Sequence, residues 1–164
     1  KILVPATDIP EVGKFAIVSD PQGAAFAVFQ SVKPTTKPET QGVGRMSWAE
    51  LNTTDHKSAW KFYSDLFGWK PTRSMDLGEM GEYFMFGTDT ENSMGGMSDA
   101  AKMMNAPAHW MFYVNVENID ETAKAVANKG GKILNGPMEV PGGDRVAQCM
   151  DPQGAAFGIF SPKK

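Results

Sequence analysis

Apolar residues in this chain change period twice, and each change marks a helix. After Asp55, the residues Ala59, Phe62, Tyr63, Leu66 and Phe67 recur at the spacing of one helix face, and Gly68 closes the run. This predicts an amphipathic helix capped by Asp55. After Asn118, the residues Ile119, Ala123, Val126 and Ala127 repeat the pattern, Glu121 stands where a capping box wants it, and Gly130–Gly131 end the run. A run rich in alternating, β-branched or aromatic residues precedes each helix, Met46–Thr53 and His109–Val116, and predicts a strand. Three further extended runs follow each helix. In the first half they are Trp69–Met75, Glu82–Gly87 and about Ser93–Met97; in the second, Lys132–Leu134, Arg145–Met150 and Ala156–Phe160. The unit reads βαβββ, and it occurs twice, over 46–98 and 108–161.

A stronger repeat joins the two ends of the chain. The heptapeptide DPQGAAF occupies Asp20–Phe26 and again Asp151–Phe157, and the register extends upstream through KIL at Lys1 and at Lys132. Self-similarity of this kind means two copies of one structural unit. DPQG reads as the turn between the last two strands of that unit: proline presets φ, aspartate accepts backbone hydrogen bonds and glycine supplies a positive φ. Residues 1–30 are therefore expected to be the last three strands of an incomplete upstream domain, and residues 46–161 a complete one. The stretch SVKPTTKPETQGVGR, within 31–45, has no apolar period and reads as a linker. Three strands alone leave open edges and a bare face. A missing upstream segment or a second chain, as in a homodimer, is expected to cover residues 1–30.

Composition narrows the classes. Of 164 residues 41% are hydrophobic, enough for a buried core, and the net charge is −3 with no basic stripe. Nucleic acid is not an expected partner. No apolar run approaches a membrane span, so no membrane partner is expected. A single cysteine, Cys149, excludes an internal disulfide framework and a thiolate zinc cluster, and fits a reducing compartment, the cytoplasm. Lys1 opens neither a signal peptide nor a normal reading frame, and the true start is expected upstream.

WAELNTTDHKSAWKFYSDLFGW, the second helical unit and the ending DPQGAAFGIF together resemble the vicinal oxygen chelate superfamily, which includes lactoylglutathione lyase, bleomycin-resistance proteins and extradiol dioxygenases. The resemblance spans 46–161 and, through the repeat, 1–30, as in two-domain glyoxalase-like members. It implies an α+β fold whose paired βαβββ modules form a curved, cup-shaped mixed sheet with helices outside. It also implies a divalent metal ion in that cup, held by a His or Gln seven residues before each helix cap and by a Glu seven residues after the Asp of each DPxG turn. Trp48 and Met111 stand seven before Asp55 and Asn118, and Gly158 and Ala27 stand seven after Asp151 and Asp20. The run Ser93–Met97 offers only Ser, Met and Gly. None of these binds a divalent ion well. No cofactor is expected, and a divalent metal only if His109 and Glu50 are ligands.

Alternation along the strands assigns the remaining candidates. Trp48, Glu50 and Asn52 share one face, as do Met111, Tyr113 and Asn115, and Phe160 faces the same way. Ligand-binding residues are thus expected at Trp48, Glu50, Asn52, Met111, Tyr113, Asn115 and Phe160, with Glu50 as the candidate catalytic base or anchor. Phe112, Val114 and Val116 are expected under the helix, and Trp60, Trp69 and Trp110 in the core or at the module interface. His56 is expected to be a solvated first-turn residue, and Cys149 a structural thiol. The reading is a metal-free, glyoxalase-like domain that binds a small organic molecule in an aromatic cup. Its alternatives are a lyase or dioxygenase-type enzyme with its site upstream, a metal-free isomerase using Glu50, and a drug-sequestering resistance protein.

Overall fold

The computed structural model describes residues 1–33 and 42–163. Most of the expected linker lies outside the described residues. The first three strands, β1 (Ile2–Ile9), β2 (Gly13–Ser19) and β3 (Ala25–Ser31), form an antiparallel sheet in sequence order. Then come β4 (Met46–Asn52), α1 (His56–Phe67), β5 (Lys70–Asp76), β6 (Glu82–Gly87), β7 (Gly95–Ser98) and the single-turn α2 (Ala100–Met103). The second βαβββ set is β8 (His109–Asn115), α3 (Ile119–Asn128), β9 (Lys132–Glu139), β10 (Arg145–Met150) and β11 (Ala156–Ser161). The pattern predicted from sequence holds to within a few residues, except that β9 runs five residues beyond its expected end and α2 has no counterpart in the periodicity.

Eight strands hydrogen-bond in the order β5-β6-β7-β4-β8-β11-β10-β9. Each module therefore places its first strand beside its last, and β8 runs parallel to β11 while β10 is antiparallel to both neighbours. This is an α+β fold with a mixed sheet. The chain divides into two compact units, one drawn from Lys1–Pro38 and Glu50–Trp110, the other from Glu39–Ala49 and Met111–Lys164.

In the first unit, α1 is held at both ends by the residues that the sequence marked. The Asp55 carboxylate accepts from Ser58 N at 3.1 Å, and Gly68 takes the left-handed conformation that ends the helix. Ala59 and Tyr63 are buried on its inner face with Leu51, Phe86 and Met97. A run of rings extends this core: Trp69 stacks on Tyr63 at 5.5 Å and on Phe86 at 4.5 Å, and Trp110 meets Tyr63 edge-on at 5.3 Å. Offset stacks and edge contacts of this kind add to simple burial.

The first DPQGAAF copy belongs to the same core. Ala24 is fully buried, and Phe26 lies 5.4 Å from the Tyr63 ring and 6.0 Å from Phe67. Asp20, only 3% exposed, accepts from Ala24 N at 2.8 Å and from the Tyr63 hydroxyl at 3.0 Å, and that hydroxyl accepts from Trp110 Nε1 at 2.9 Å. Burial holds the Tyr63 phenol protonated well above its ordinary range.

In the second unit, Asn118 caps α3 by accepting from Asp120 N and Glu121 N at 3.0 and 3.2 Å. Ile119 and Ala123 bury against Ala147, Cys149 and Ile159, with Val126 and Phe157 packed at the margin. Phe112 departs from expectation. It is 47% exposed, and α3 packs against β9, β10 and β11 instead. The second DPQGAAF copy repeats the turn of the first: Asp151 N donates to Ala155 O at 2.9 Å, and Ala155 N to the Asp151 carboxylate at 2.8 Å. Here Ala155 and Ala156 are exposed.

Candidate functional site

Glu50 and Asn52 lie two residues apart on β4, as the alternation requires, and both are buried, at 9% and 3% exposure. Tyr83 on β6 donates its hydroxyl to Glu50 Oε2 at 3.0 Å. Asn52 Nδ2 stands 3.4 Å from Glu50 Oε1 and 3.5 Å from His109 Nε2. The opposite ring nitrogen of His109, Nδ1, is 2.8 Å from Pro107 O, which accepts only. Nδ1 therefore donates to that carbonyl, and the Asn52 amide nitrogen faces Nε2. All four residues belong to the first unit.

The Tyr83 ring reaches Glu50 by lying flat over Gly96 of β7. A Cβ at Gly96 would stand inside that ring. The second unit has the same construction. Tyr113 on β8 pairs with Gly158 on β11, and Gly158 pairs with Gln148 on β10. The Tyr113 ring covers Gly158, where a Cβ would again fall inside it, and its hydroxyl accepts from Gln148 Nε2 at 3.1 Å. Gln148 was not foreseen. The register of β10 against β11 could have found it, since Gln148 pairs with the glycine at the expected ligand position.

The other expected site residues fall in the second unit. Met111 and Tyr113 are buried, Trp48, Asn115 and Phe160 are half-buried, and Asn115 accepts from the Ser47 hydroxyl. A surface depression of about 300 Å³ lies at the start of α3, lined in part by Asp120 and Arg145, and these two form an ion pair with each other.

A metal ion does not fit the places that the family pattern assigns to its ligands. Trp48 and Met111 carry no hard donor, and Gly158 has no room for a carboxylate because the Tyr113 ring occupies that volume. Gly96 is covered in the same way. Among the described residues, no three His, Cys, Asp or Glu side chains converge as a metal ligand set would. No chemical step is routed through a metal here.

His56 corrects the sequence reading. It is 7% exposed rather than solvated: Asp99, just before α2, accepts from His56 N and stands 3.0 Å from Nδ1, and Glu82 stands 3.2 Å from Nε2. Hydrogen bonds from Ser74 and His56 hold the Glu82 carboxyl below its usual range. Nothing local to His56 pointed to this, because its partners come from elements far along the chain.

The strand order and the helix placement define a vicinal oxygen chelate fold. The family model described as Glyoxalase/Bleomycin resistance protein/Dioxygenase superfamily matches residues 45–159, and the chain belongs to that superfamily. It is similar to CFP32 of Mycobacterium bovis, 30% identical over 99% of this chain and 61% of that protein. It is also similar to the anthracycline biosynthesis protein DauV of Streptomyces sp. (strain C5), 28% identical over 96% of this chain and 56% of that protein. The chain thus spans little more than half the length of these relatives. Among solved structures, the Mn(II)-bound glyoxalase from Novosphingobium aromaticivorans superposes on 100% of this chain and 55% of its own, with TM-score 0.64 and 18% identity, a likeness of fold. Among the described residues no helix is long and apolar enough to cross a membrane.

Proposed function

We propose that this domain binds a small, flat organic molecule without a metal ion, with the Glu50 carboxylate as its polar anchor. The observation that carries the reading is that Glu50 is buried yet held in place by the Tyr83 hydroxyl, with the Asn52 amide beside it. A carboxylate oriented by neighbouring donors remains an acceptor for a donor group on a ligand. For the second unit, taken by itself, ligand contacts are proposed at Trp48, Met111, Tyr113, Asn115 and Phe160. Apolar and aromatic side chains with a few polar points suit a planar molecule better than a hydrated ion. The similarity to a protein of anthracycline biosynthesis supports a polycyclic ligand class. The cytoplasm is the proposed compartment, and residues 1–30 remain a proposed contact for an upstream segment or a second chain.

The test is a fluorescence titration of chelator-treated protein with an anthracycline, repeated with added Mn²⁺ or Zn²⁺. Saturable binding that the metals leave unchanged is the expected result. Binding that appears only with metal, or none at all, would overturn the reading. A second reading, proton transfer with Glu50 as base, is favoured by His109 standing across Asn52 from that carboxylate. Turnover of a bound compound that Glu50→Gln abolishes would select it.

A further inference from the structure

The strands β1, β2 and β3 repeat β9, β10 and β11 down to the pairing of individual residues. Ile2 faces Val18 as Ile133 faces Cys149, Lys14 faces Gln30 as Arg145 faces Ser161, and Ser19 faces Ala25 as Met150 faces Ala156. What covers the two copies differs. In the second unit β8 adds to β11 in parallel, and α3 buries Ala147, Cys149 and Ile159, the last to 2% exposure. In the first unit β3 is the edge of its sheet among the described residues, with β2 on one side and an open edge on the other. Val28, at the place of Ile159, is 37% exposed, and Ile2, at the place of Ile133, is 68% exposed. Val28 shares the face of Phe26, whose ring α1 already meets through Phe62, Tyr63 and Phe67, so the bare patch continues an existing contact.

We propose that this patch is the docking site of a strand–helix segment of the protein's own chain, lying ahead of Lys1, whose strand adds parallel to β3 and whose helix covers Ile2, Ala16, Val18 and Val28. The inference rests on the reading that residues 1–30 contact a further segment, and it specifies that segment. α3 ends at Asn128 and β9 begins at Lys132, the counterpart of Lys1, so the corresponding helix joins β1 through an equally short connection. The relatives are long enough to hold it, since the chain spans 61% of CFP32. Charge complementarity specifies the helix. Arg145 holds Asp120 in the first turn of α3, and its counterpart Lys14, 49% exposed and paired with the more exposed Asp8, is placed to meet an acidic residue in the first turn of the docking helix. Side-chain volume specifies the strand. Gly158 admits the flat Tyr113 ring, and Gln148 donates to its hydroxyl. Their counterparts are Ala27 and Ile17, so the incoming strand carries a smaller, apolar residue at that point.

The experiment builds the cover from the chain itself. A copy of residues 108–131, with Tyr113→Val in that copy, is fused directly ahead of Lys1, so that its helix reaches β1 through the same connection that follows α3. The same segment is also added as a separate peptide. Val28→Cys reports on the face, with Cys149 as a buried internal reference. In the unfused chain the new thiol should react with a disulfide reagent at the rate of an exposed one. Fusion should slow that reaction about a hundredfold, since it then requires the segment to open, and the peptide should slow it in a saturable way. Ile119→Asp with Ala123→Asp in the added copy should restore the fast rate. A fast rate with both the fused copy and the peptide, in protein of unchanged circular dichroism, would overturn the strand–helix segment while leaving the face in need of another cover. A slow rate in the unfused chain at every concentration would overturn both readings, because the face would then not be bare. A slow rate that becomes fast on dilution, with a dimer's mass before it, would assign the face to a second copy and overturn the proposal.

Discussion

Replacing Tyr63 by phenylalanine removes one oxygen and leaves the ring, so the stacks on Trp69 and Phe26 and the edge contact with Trp110 survive. Two partners lose their hydrogen bond: Asp20, buried in the first DPQG turn, and the Trp110 indole. An unsatisfied buried polar group costs about 1–3 kcal/mol, and more if charged. Asp20 keeps its bond from Ala24 N and Trp110 is only half-buried, which places the sum at about 3 kcal/mol. With a urea slope of about 2 kcal/mol/M, the midpoint should fall by about 1.5 M, followed by far-UV circular dichroism and tryptophan fluorescence. The alkaline limb should change as well. The folded state keeps the Tyr63 proton to higher pH than the unfolded chain does, so stability is full below the ordinary phenol range near about 10 and declines as pH rises beyond it. The phenylalanine variant should lose that part of the decline. A double-mutant cycle with Trp110→Phe isolates the coupling. A midpoint shift worth less than about 0.5 kcal/mol would refute the claim that this hydroxyl ties the turn to the helix and to β8.

Other outcomes can be checked in the same preparation. Gly158→Ala should destabilise by about 1–3 kcal/mol, since its methyl meets the Tyr113 ring, and adding Tyr113→Ala should recover part of that loss; additive effects in urea melts would contradict the packing. The thiol of Cys149, raised by burial, should react with a disulfide reagent only on unfolding, and rapid reaction in native buffer at pH 8 would contradict its burial. The Glu82 carboxyl is held low, so its contribution to stability is present above the usual carboxylate range and is lost as pH falls through its folded value. Ser74→Ala should remove the larger share of that acid dependence and His56→Leu a smaller one, read from melting temperatures between pH 3 and 6, and a profile unchanged in His56→Leu would show that His56 does not hold Glu82.

What the sequence disclosed and what it hid divide along one physical line. Periodicity, caps and the DPQG turns are local, and they located α1, α3 and the strands because each signal lies within a few residues of its effect. The assignment of Glu50, Asn52, Met111 and Tyr113 to inward faces needed only strand alternation. The environment of His56 depends on Asp99 and Glu82, and that of Glu50 on Tyr83, partners brought together by strand order. Phe112 misled because alternation assumes one covered face, and here α3 covers β9 to β11 rather than β8. The aromatic covers over Gly96 and Gly158 were also illegible, since a glycine in a strand tells of close approach without saying by what.

The duplicated turn gives the molecule its own internal reference. Asp20 and Asp151 close the same backbone hydrogen bonds in the same seven residues, one against the α1 core and the other with its two alanines in solvent. Exchanging each for alanine compares a loop's intrinsic preference with that preference plus its embedding. The difference between the two losses is the free energy of docking, obtained without any model compound. A motif repeated within one chain thus need not repeat its role: the second copy packs Phe157 on its core while its Asp151 carboxylate serves the turn, whereas the first also ties its Asp20 carboxylate to the Tyr63 hydroxyl and has become a fastener.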